Sequence, residues 1–204
     1  MWTVLTAASG DHRELLQYGV PTLERYATRW GMDLSVPTIT PQMTEQFPAS
    51  WWKIRFMLDL LAGGKSGVLW VDADAKFVRF DEDIRTLAKA PFNWVHNRYR
   101  ARTEFPWEMV PCTGVLAVTN RGVPALESIW ALRDKHRDSC WVEQSAAHEV
   151  FGWDSEGIHN GALQGELPAR WNYMPGPFSE VPDDPVILHA SGATSMADRL
   201  AVLR

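Results

Sequence analysis

Asp72 and Asp74 follow directly on Gly67-Val68-Leu69-Trp70-Val71, an apolar run that reads as a buried strand. Side chains alternate faces along a strand. Carboxylates spaced i, i+2 therefore point the same way if strand geometry extends that far. Two acids at the exit of a buried strand repel each other and lose hydration unless a cation joins them. Binding a hard divalent cation through carboxylate oxygens is chemistry such a pair can perform. A strand ending in a turn with two solvated aspartates fits the same stretch, because Asp is common in turns.

The elements that would position this pair follow from the hydrophobic pattern. Trp2 to Ala8 reads as a strand, followed by a Ser9-Gly10-Asp11 loop. Leu15, Leu16, Gly19, Leu23, Tyr26, Ala27 and Trp30 recur at helical spacing, with Gly31 as a stop and Pro21 as a kink or break. Leu34 to Thr40 is a strand that Pro37 and Pro41 make short or an edge. Trp51 to Ala62 is a helix closed by Gly63-Gly64, and the acidic strand follows. This β-α-β-α-β order favours a parallel, doubly wound sheet, in which ligands sit at the carboxyl ends of strands. Ala7-Ala8-Ser9 and Asp72-Ala73-Asp74 both lie at such ends.

Further along, a short polar helix is expected over Asp81–Lys89, and strands over Phe92–Val95 and Val115–Val118. Helices are expected over Val123–His136, Glu143–Val150 and Met196–Leu203. Asp154–Glu166 reads as loop, Leu167–Tyr173 as a short strand or turn, and Pro175–Pro185, with four prolines, as loop. Pro185–His189 is a last strand ending in histidine. No repeat or linker interrupts the 204 residues, which suit a single domain.

Composition narrows the function classes. The net charge of −5 argues against general attraction to nucleic acid, although Arg98, Arg100 and Arg102 form a local basic run. Two cysteines, Cys112 and Cys140, make no metal cluster and fit a reducing compartment. With no long apolar run the expectation is a soluble, cytoplasmic protein. Gly64-Lys65-Ser66 imitates the end of a phosphate-binding P-loop. The required earlier glycine is replaced by Asp59, and strand and helix stand in reversed order. The acid pair also differs from that of haloacid-dehalogenase-type phosphatases, lying deep in the chain with Ala75-Lys76 behind it. The 11 tryptophans are mostly core by expectation, with others, Trp107, Trp153 and Trp171 among the candidates, as stacking platforms for sugars or bases.

Several motifs in order resemble the GT-A glycosyltransferases, in particular the retaining glycogenin-like (family 8) and galactosyl/mannosyltransferase-like (family 34) enzymes. Trp52-Lys53 stands before the acidic strand where those enzymes have (T/S)K. Val71-Asp72-Ala73-Asp74 looks like their DxD motif, and Cys112-Thr113-Gly114-Val115-Leu116 like their N-(S/T)-G-V strand. Glu143-Gln144 looks like their D-Q pair, Arg170-Trp171-Asn172 like their (F/Y)-N segment, and Leu188-His189-Ala190-Ser191-Gly192 like their H-x-x-G. The resemblance implies an α/β GT-A fold, Rossmann-like, with a mostly parallel central sheet flanked by helices. It implies a nucleotide-binding half over 1–80 that ends in the acid pair, and a donor-sugar and acceptor half over 90–204.

The implied activity is transfer of a sugar from a UDP- or GDP-sugar to an acceptor hydroxyl, with retention. Asp72, Asp74 and His189 would hold Mn²⁺ or Mg²⁺, Mn²⁺ being the better fit to imidazole. Thr6, Ala7, Ala8, Lys53, Asp72, Ala73, Thr113, Gly114 and Gly192 would bind the nucleotide and donor, and Glu143 and Gln144 would face the reacting sugar. Acceptors left open are a glycan, a protein, a lipid head group and modified DNA. Three positions depart from the pattern. Cys112 replaces asparagine, Glu143 replaces aspartate, and Ser195 stands where the glycogenin-like pattern has a phosphate-binding lysine, a charge that Arg199 would have to supply. These departures keep open a second reading, a degenerate GT-A domain that binds nucleotide or sugar without transfer.

Overall fold

The computed structural model describes residues 1–98, 109–154, 157–158, 161–175, 182–191, 193 and 195–204. In chain order the elements are β1 (Trp2–Leu5), α1 (Leu16–Trp30), β2 (Asp33–Ser35), α2 (Pro41–Gln46), α3 (Trp52–Ala62), β3 (Gly67–Val71), β4 (Ala75–Phe77), β5 (Phe92–Arg98) and β6 (Met109–Thr119). They continue with α4 (Val123–Ala131), α5 (Glu143–Phe151), β7 (Trp153–Asp154), β8 (Gly157–Ile158), β9 (Gln164–Leu167), β10 (Ile187–His189) and α6 (Met196–Leu203).

Six strands form the central sheet in the order β2-β1-β3-β6-β5-β9. β2, β1 and β3 run parallel, β6 is antiparallel to both β3 and β5, and β9 is parallel to β5. All strands but β6 therefore point one way, as the mostly parallel expectation requires. The apolar run of β3 has its reason here, since alternate residues serve opposite faces. Val68 and Trp70 join a core with Ile54, Met57, Leu126 and Phe151, from α3, α4 and α5. Leu69 and Val71 join a second core with Leu23 and Tyr26 of α1, Trp171 and Ile187. Each fully buried Leu, Ile or Phe contributes about 1.5–3 kcal/mol. Both layers thus hold β3 rigidly, and with it the chain segment that leaves its carboxyl end.

β4 has no counterpart among the expected elements, and it matters most for the site. It pairs antiparallel with β10, setting His189 opposite Ala75. α1 lies directly on this pair. A Cβ on Gly19 would stand 2.8 Å from the Ala75 carbonyl, so only glycine permits the approach. α1 itself runs through Pro21 as one helix.

Other expectations are corrected. Asp81–Lys89 is not a helix beyond a short 3₁₀ turn at Ile84–Thr86, where the Arg85 N–H donates to the Asp83 carboxylate at 3.0 Å. Arg79 pairs with Asp81 and Asp184, so the local charges serve ion pairs across the loop. α4 stops at Ala131 and continues as turns. The expected loop before Glu166 contains β9, whose polar Gln164-Gly165-Glu166 hides its strand character but still forms a sheet edge on β5. Among the described residues no helix is long and apolar enough to cross a membrane.

Candidate functional site

Strand geometry does not extend past Val71. The Asp72 N–H donates to the Gly114 carbonyl at 2.9 Å, and the Ala75 N–H donates to the Asp72 carbonyl at 3.0 Å, closing a turn. The acids therefore sit in a turn and still converge, because β10 returns His189 to the same place. One ligand atom from each of Asp72, Asp74 and His189 lies within 4.8 Å of the others. Asp74 is only 7% exposed, so this is not a solvated turn acid.

The orientation of His189 is fixed on both nitrogens. Nδ1 lies 2.7 Å from the Asn172 Oδ1. In the tautomer that ligates a metal, Nδ1–H donates to the Asn172 Oδ1 and Nε2 keeps its lone pair. Nε2 then faces Asp74 Oδ1 at 3.0 Å and Asp72 Oδ2 at 3.8 Å. Burial pulls the imidazole pKa down to about 4, against the opposing charge of Asp72. In that tautomer the nitrogen lone pair and the two carboxylates form a donor set that could hold a hard divalent cation.

Beneath the acids lies a buried charge cluster. Lys53, on α3, is 4% exposed. Its Nζ reaches Asp72 Oδ1 at 2.9 Å, Glu143 Oε1 at 3.0 Å and the Thr113 carbonyl at 3.3 Å. Burial disfavours the ammonium, but Asp72 and Glu143 outweigh it and hold the pKa above the usual lysine value. Burial likewise disfavours the Glu143 carboxylate. The Lys53 charge overcomes this, helped by hydrogen bonds from Ser50, Lys53 and Thr113, and the group stays below the usual carboxylate range. The Thr113 hydroxyl donates to Glu143 Oε1 at 2.9 Å, and the Thr113 N–H donates to Gln144 Oε1 at 3.0 Å. Lys53, read in the sequence as a donor contact, thus ties Asp72 to the start of α5. Val142, just before Glu143, holds φ 47° and ψ −115°. A β-branched residue rarely adopts that conformation, so strain is stored where the Glu143-Gln144 pair is aimed.

Gly114 completes the wall. A Cβ there would overlap the His189 ring and come within 3.3 Å of Asp72 Oδ2. Gly114→Ala must push His189 away, and overpacking of this kind costs about 1–3 kcal/mol. The expected results are a melting temperature lowered by about 2–12 °C and Mn²⁺ binding weakened about tenfold or more in titration calorimetry. Unchanged metal binding would separate Gly114 from the site.

The remaining expected residues are placed as follows. Thr6, Ala7 and Ala8 lie beyond β1, whose Leu5 pairs with Trp70, so they share the rim with Asp72, and all three are buried. Ala73 is buried in the turn. Gly192 lies outside the described residues, as do Arg100, Arg102 and Trp107. Trp171 is fully buried core, and Trp153 is half-buried against His148, with ring centroids 4.4 Å apart. Cys112 is buried, and burial pushes its thiol up, away from reactivity. Ser195 caps α6, its hydroxyl accepting from the Asp198 N–H at 3.1 Å. Three contacts have no local sequence signal. The Trp70 indole donates to Asp72 Oδ1 at 2.6 Å, Asn172 Oδ1 lies 2.7 Å from His189 Nδ1, and the Arg199 guanidinium pairs with Asp74 Oδ2. Of these, only Asn172 lies within a quoted motif.

No family model and no curated protein matches the chain significantly. Solved structures do. The chain is similar to a glycosyltransferase involved in the glycosylation of the major capsid of PBCV-1, with a TM-score of 0.75 and 15% identity over 99% of this chain and 98% of that one. It is similar to the galactosyltransferase LgtC, solved with donor and acceptor sugar analogues, with a TM-score of 0.60 and 13% identity over 98% and 94%. It also matches the glycosyltransferase GlyE of Streptococcus pneumoniae TIGR4, with a TM-score of 0.58 and 15% identity, covering 92% of this chain and 53% of that one. The expected fold is therefore met, and the chain has the GT-A fold seen in these glycosyltransferases.

Proposed function

We propose that this protein is a metal-dependent glycosyltransferase that moves a sugar from a UDP- or GDP-sugar to an acceptor hydroxyl with retention. The observation that carries this reading is the convergence of Asp72, Asp74 and His189 at the carboxyl ends of β1 and β3, joined through Lys53 to Glu143 and through Thr113 to Gln144. Asp72, Asp74 and His189 would hold the cation, Mn²⁺ by preference, and when bound it would supply positive charge against the departing diphosphate. Thr6, Ala7 and Ala8 line the nucleotide, and Thr113, Gly114 and Gly192 border the donor sugar. Residues 1–80 form the nucleotide half and 90–204 the donor-sugar and acceptor half.

Glu143 and Gln144 stand at the sugar face in this reading. Glu143 is clamped by Lys53 and Thr113, so it acts as a fixed negative charge near an oxocarbenium-like centre rather than as a mobile nucleophile. Gln144 is half-buried, its Oε1 accepting from the Thr113 N–H at 3.0 Å. Two free cysteines fit a reducing compartment, the cytoplasm. The likeness to a capsid glycosyltransferase favours a protein or glycan acceptor over a lipid head group or modified DNA. The test is turnover across a panel of UDP- and GDP-sugars, as hydrolysis or transfer, with Mn²⁺, with Mg²⁺ and with EDTA. At least one donor should turn over with Mn²⁺ and none with EDTA. Turnover that survives EDTA would remove the metal from the reading.

A second reading, a degenerate domain that binds without transfer, is favoured by Ser195 serving as a helix cap and by the inert Cys112. Silence across the panel together with metal-dependent nucleotide binding would select it.

A further inference from the structure

Arg199 occupies a place that the proposed chemistry needs for something else. Its guanidinium pairs with Oδ2 of Asp74, while His189 faces Oδ1 of the same carboxylate. Both oxygens of Asp74 are thus engaged in this structure, and a cation arriving there meets a positive charge already in position. Coulomb repulsion between two cations a few ångströms apart is strong at this depth. The arrangement is also easily undone. Arg199 is half-buried, and α6 is held by contacts that do not involve its side chain. The Lys76 ammonium donates to the Leu203 carbonyl at 2.7 Å, Ser195 caps the first turn, and Leu203 packs with Leu15 and Ala190. The guanidinium can therefore leave Asp74 by side-chain rotation while the helix stays docked.

We propose that Arg199 is the resident counter-ion of Asp74, that a divalent cation displaces it, and that the freed guanidinium is taken up by the donor's diphosphate. The inference rests on the metal-site reading above and adds to it a linkage. Cation and diphosphate bind with positive coupling, because each relieves a cost the other meets alone. Cation alone must evict Arg199 into water, and diphosphate alone finds Arg199 engaged on a carboxylate. With both present, the cation takes Asp74 and the planar guanidinium gains a phosphate, a partner it binds through paired N–H donors. Coupling between sites is reciprocal and commonly amounts to about 5–150-fold.

The test is Mn²⁺ affinity, read by electron paramagnetic resonance of free Mn²⁺, with no nucleotide, with UDP and with GDP. It compares the wild-type protein with R199Q, and with R199M, which keeps an unbranched apolar stem, should the glutamine variant not fold. Mn²⁺ alone is expected to bind about tenfold tighter to the neutral variant, and the factor by which a diphosphate tightens Mn²⁺ binding should fall at least fivefold. Equal or weaker Mn²⁺ binding by the variant, with the coupling unchanged, would overturn the inference and leave the metal site standing. Absence of Mn²⁺ binding by both proteins, with either diphosphate present, would overturn the metal-site reading itself and this inference with it.

Discussion

Asp74→Asn is expected to abolish transfer, lowering kcat by about 10³-fold or more, while the protein stays folded. The substitution is nearly isosteric and removes one negative charge from a residue that is 7% exposed. Stabilisation of a leaving diphosphate by a bound metal amounts to several kcal/mol, and each 1.36 kcal/mol is tenfold in rate. The structural cost should be small. The amide still offers an acceptor oxygen towards Arg199, and a half-buried guanidinium that loses its partner can turn to water. The variant should therefore melt within a few degrees of the wild type. Direct Mn²⁺ binding should fall in parallel with activity. An Asp74→Asn enzyme that retained Mn²⁺-dependent turnover would show that His189 and Asp72 suffice, and one active in EDTA would end the metal mechanism.

So much rests on a single carboxylate for a tertiary reason, and that reason shows where the sequence is readable. β3 is an uninterrupted apolar run because it is buried on both faces, so its strand and its carboxyl end are plain from pattern alone. α6 is legible at Met196–Leu203 because a capping serine precedes an amphipathic turn and the chain has no competing signal. β4 is hidden because three residues directly after two acids carry no period. Its pairing with β10 is what turns a loose acid pair into a cluster with His189. β9 is hidden because three of its four residues are polar or glycine at a sheet edge. Lys53 stands out in the sequence, but its partners lie 19 residues away at Asp72 and 90 away at Glu143, distances at which spacing says nothing. The charges that suggest a helix over Asp81–Lys89 instead serve Arg79 and Asp83 as ion-pair and capping partners. Arg199 reads in the sequence only as a phosphate contact. Its position on Asp74 depends on how α6 docks against Leu15 and Ala190, which no local pattern encodes.

Lys53→Met should damage both stability and activity, through one cause. The ammonium stands between two carboxylates, of which Glu143 is buried, with Nζ at 2.9 Å from Asp72 and 3.0 Å from Glu143. Removing one partner of a buried ion pair leaves an uncompensated charge and costs about 3–5 kcal/mol. For a chain of this size that is a fall in melting temperature of about 6–20 °C. The pH dependence gives the mechanism away. In the wild type the folded pKa of Glu143 is depressed. Its contribution to stability is present above the unfolded carboxylate pKa and is lost as pH falls through the folded value. In the methionine variant burial acts on Glu143 without the lysine, so its folded pKa rises above the unfolded value. The penalty is then present at neutral pH, shrinks as pH falls through that raised value and is gone below the unfolded carboxylate pKa. The stability gap between the two proteins should therefore narrow steadily from pH 7 towards pH 4, measured by urea unfolding at each pH. A gap independent of pH would mean that lost packing of the lysine stem, not charge, sets the cost. Adding Glu143→Gln to Lys53→Met removes the stranded carboxylate and should recover part of the stability, with a coupling of about 1–3 kcal/mol in the double-mutant cycle. Activity should stay low in the double variant, because Asp72 has still lost the group that orients it.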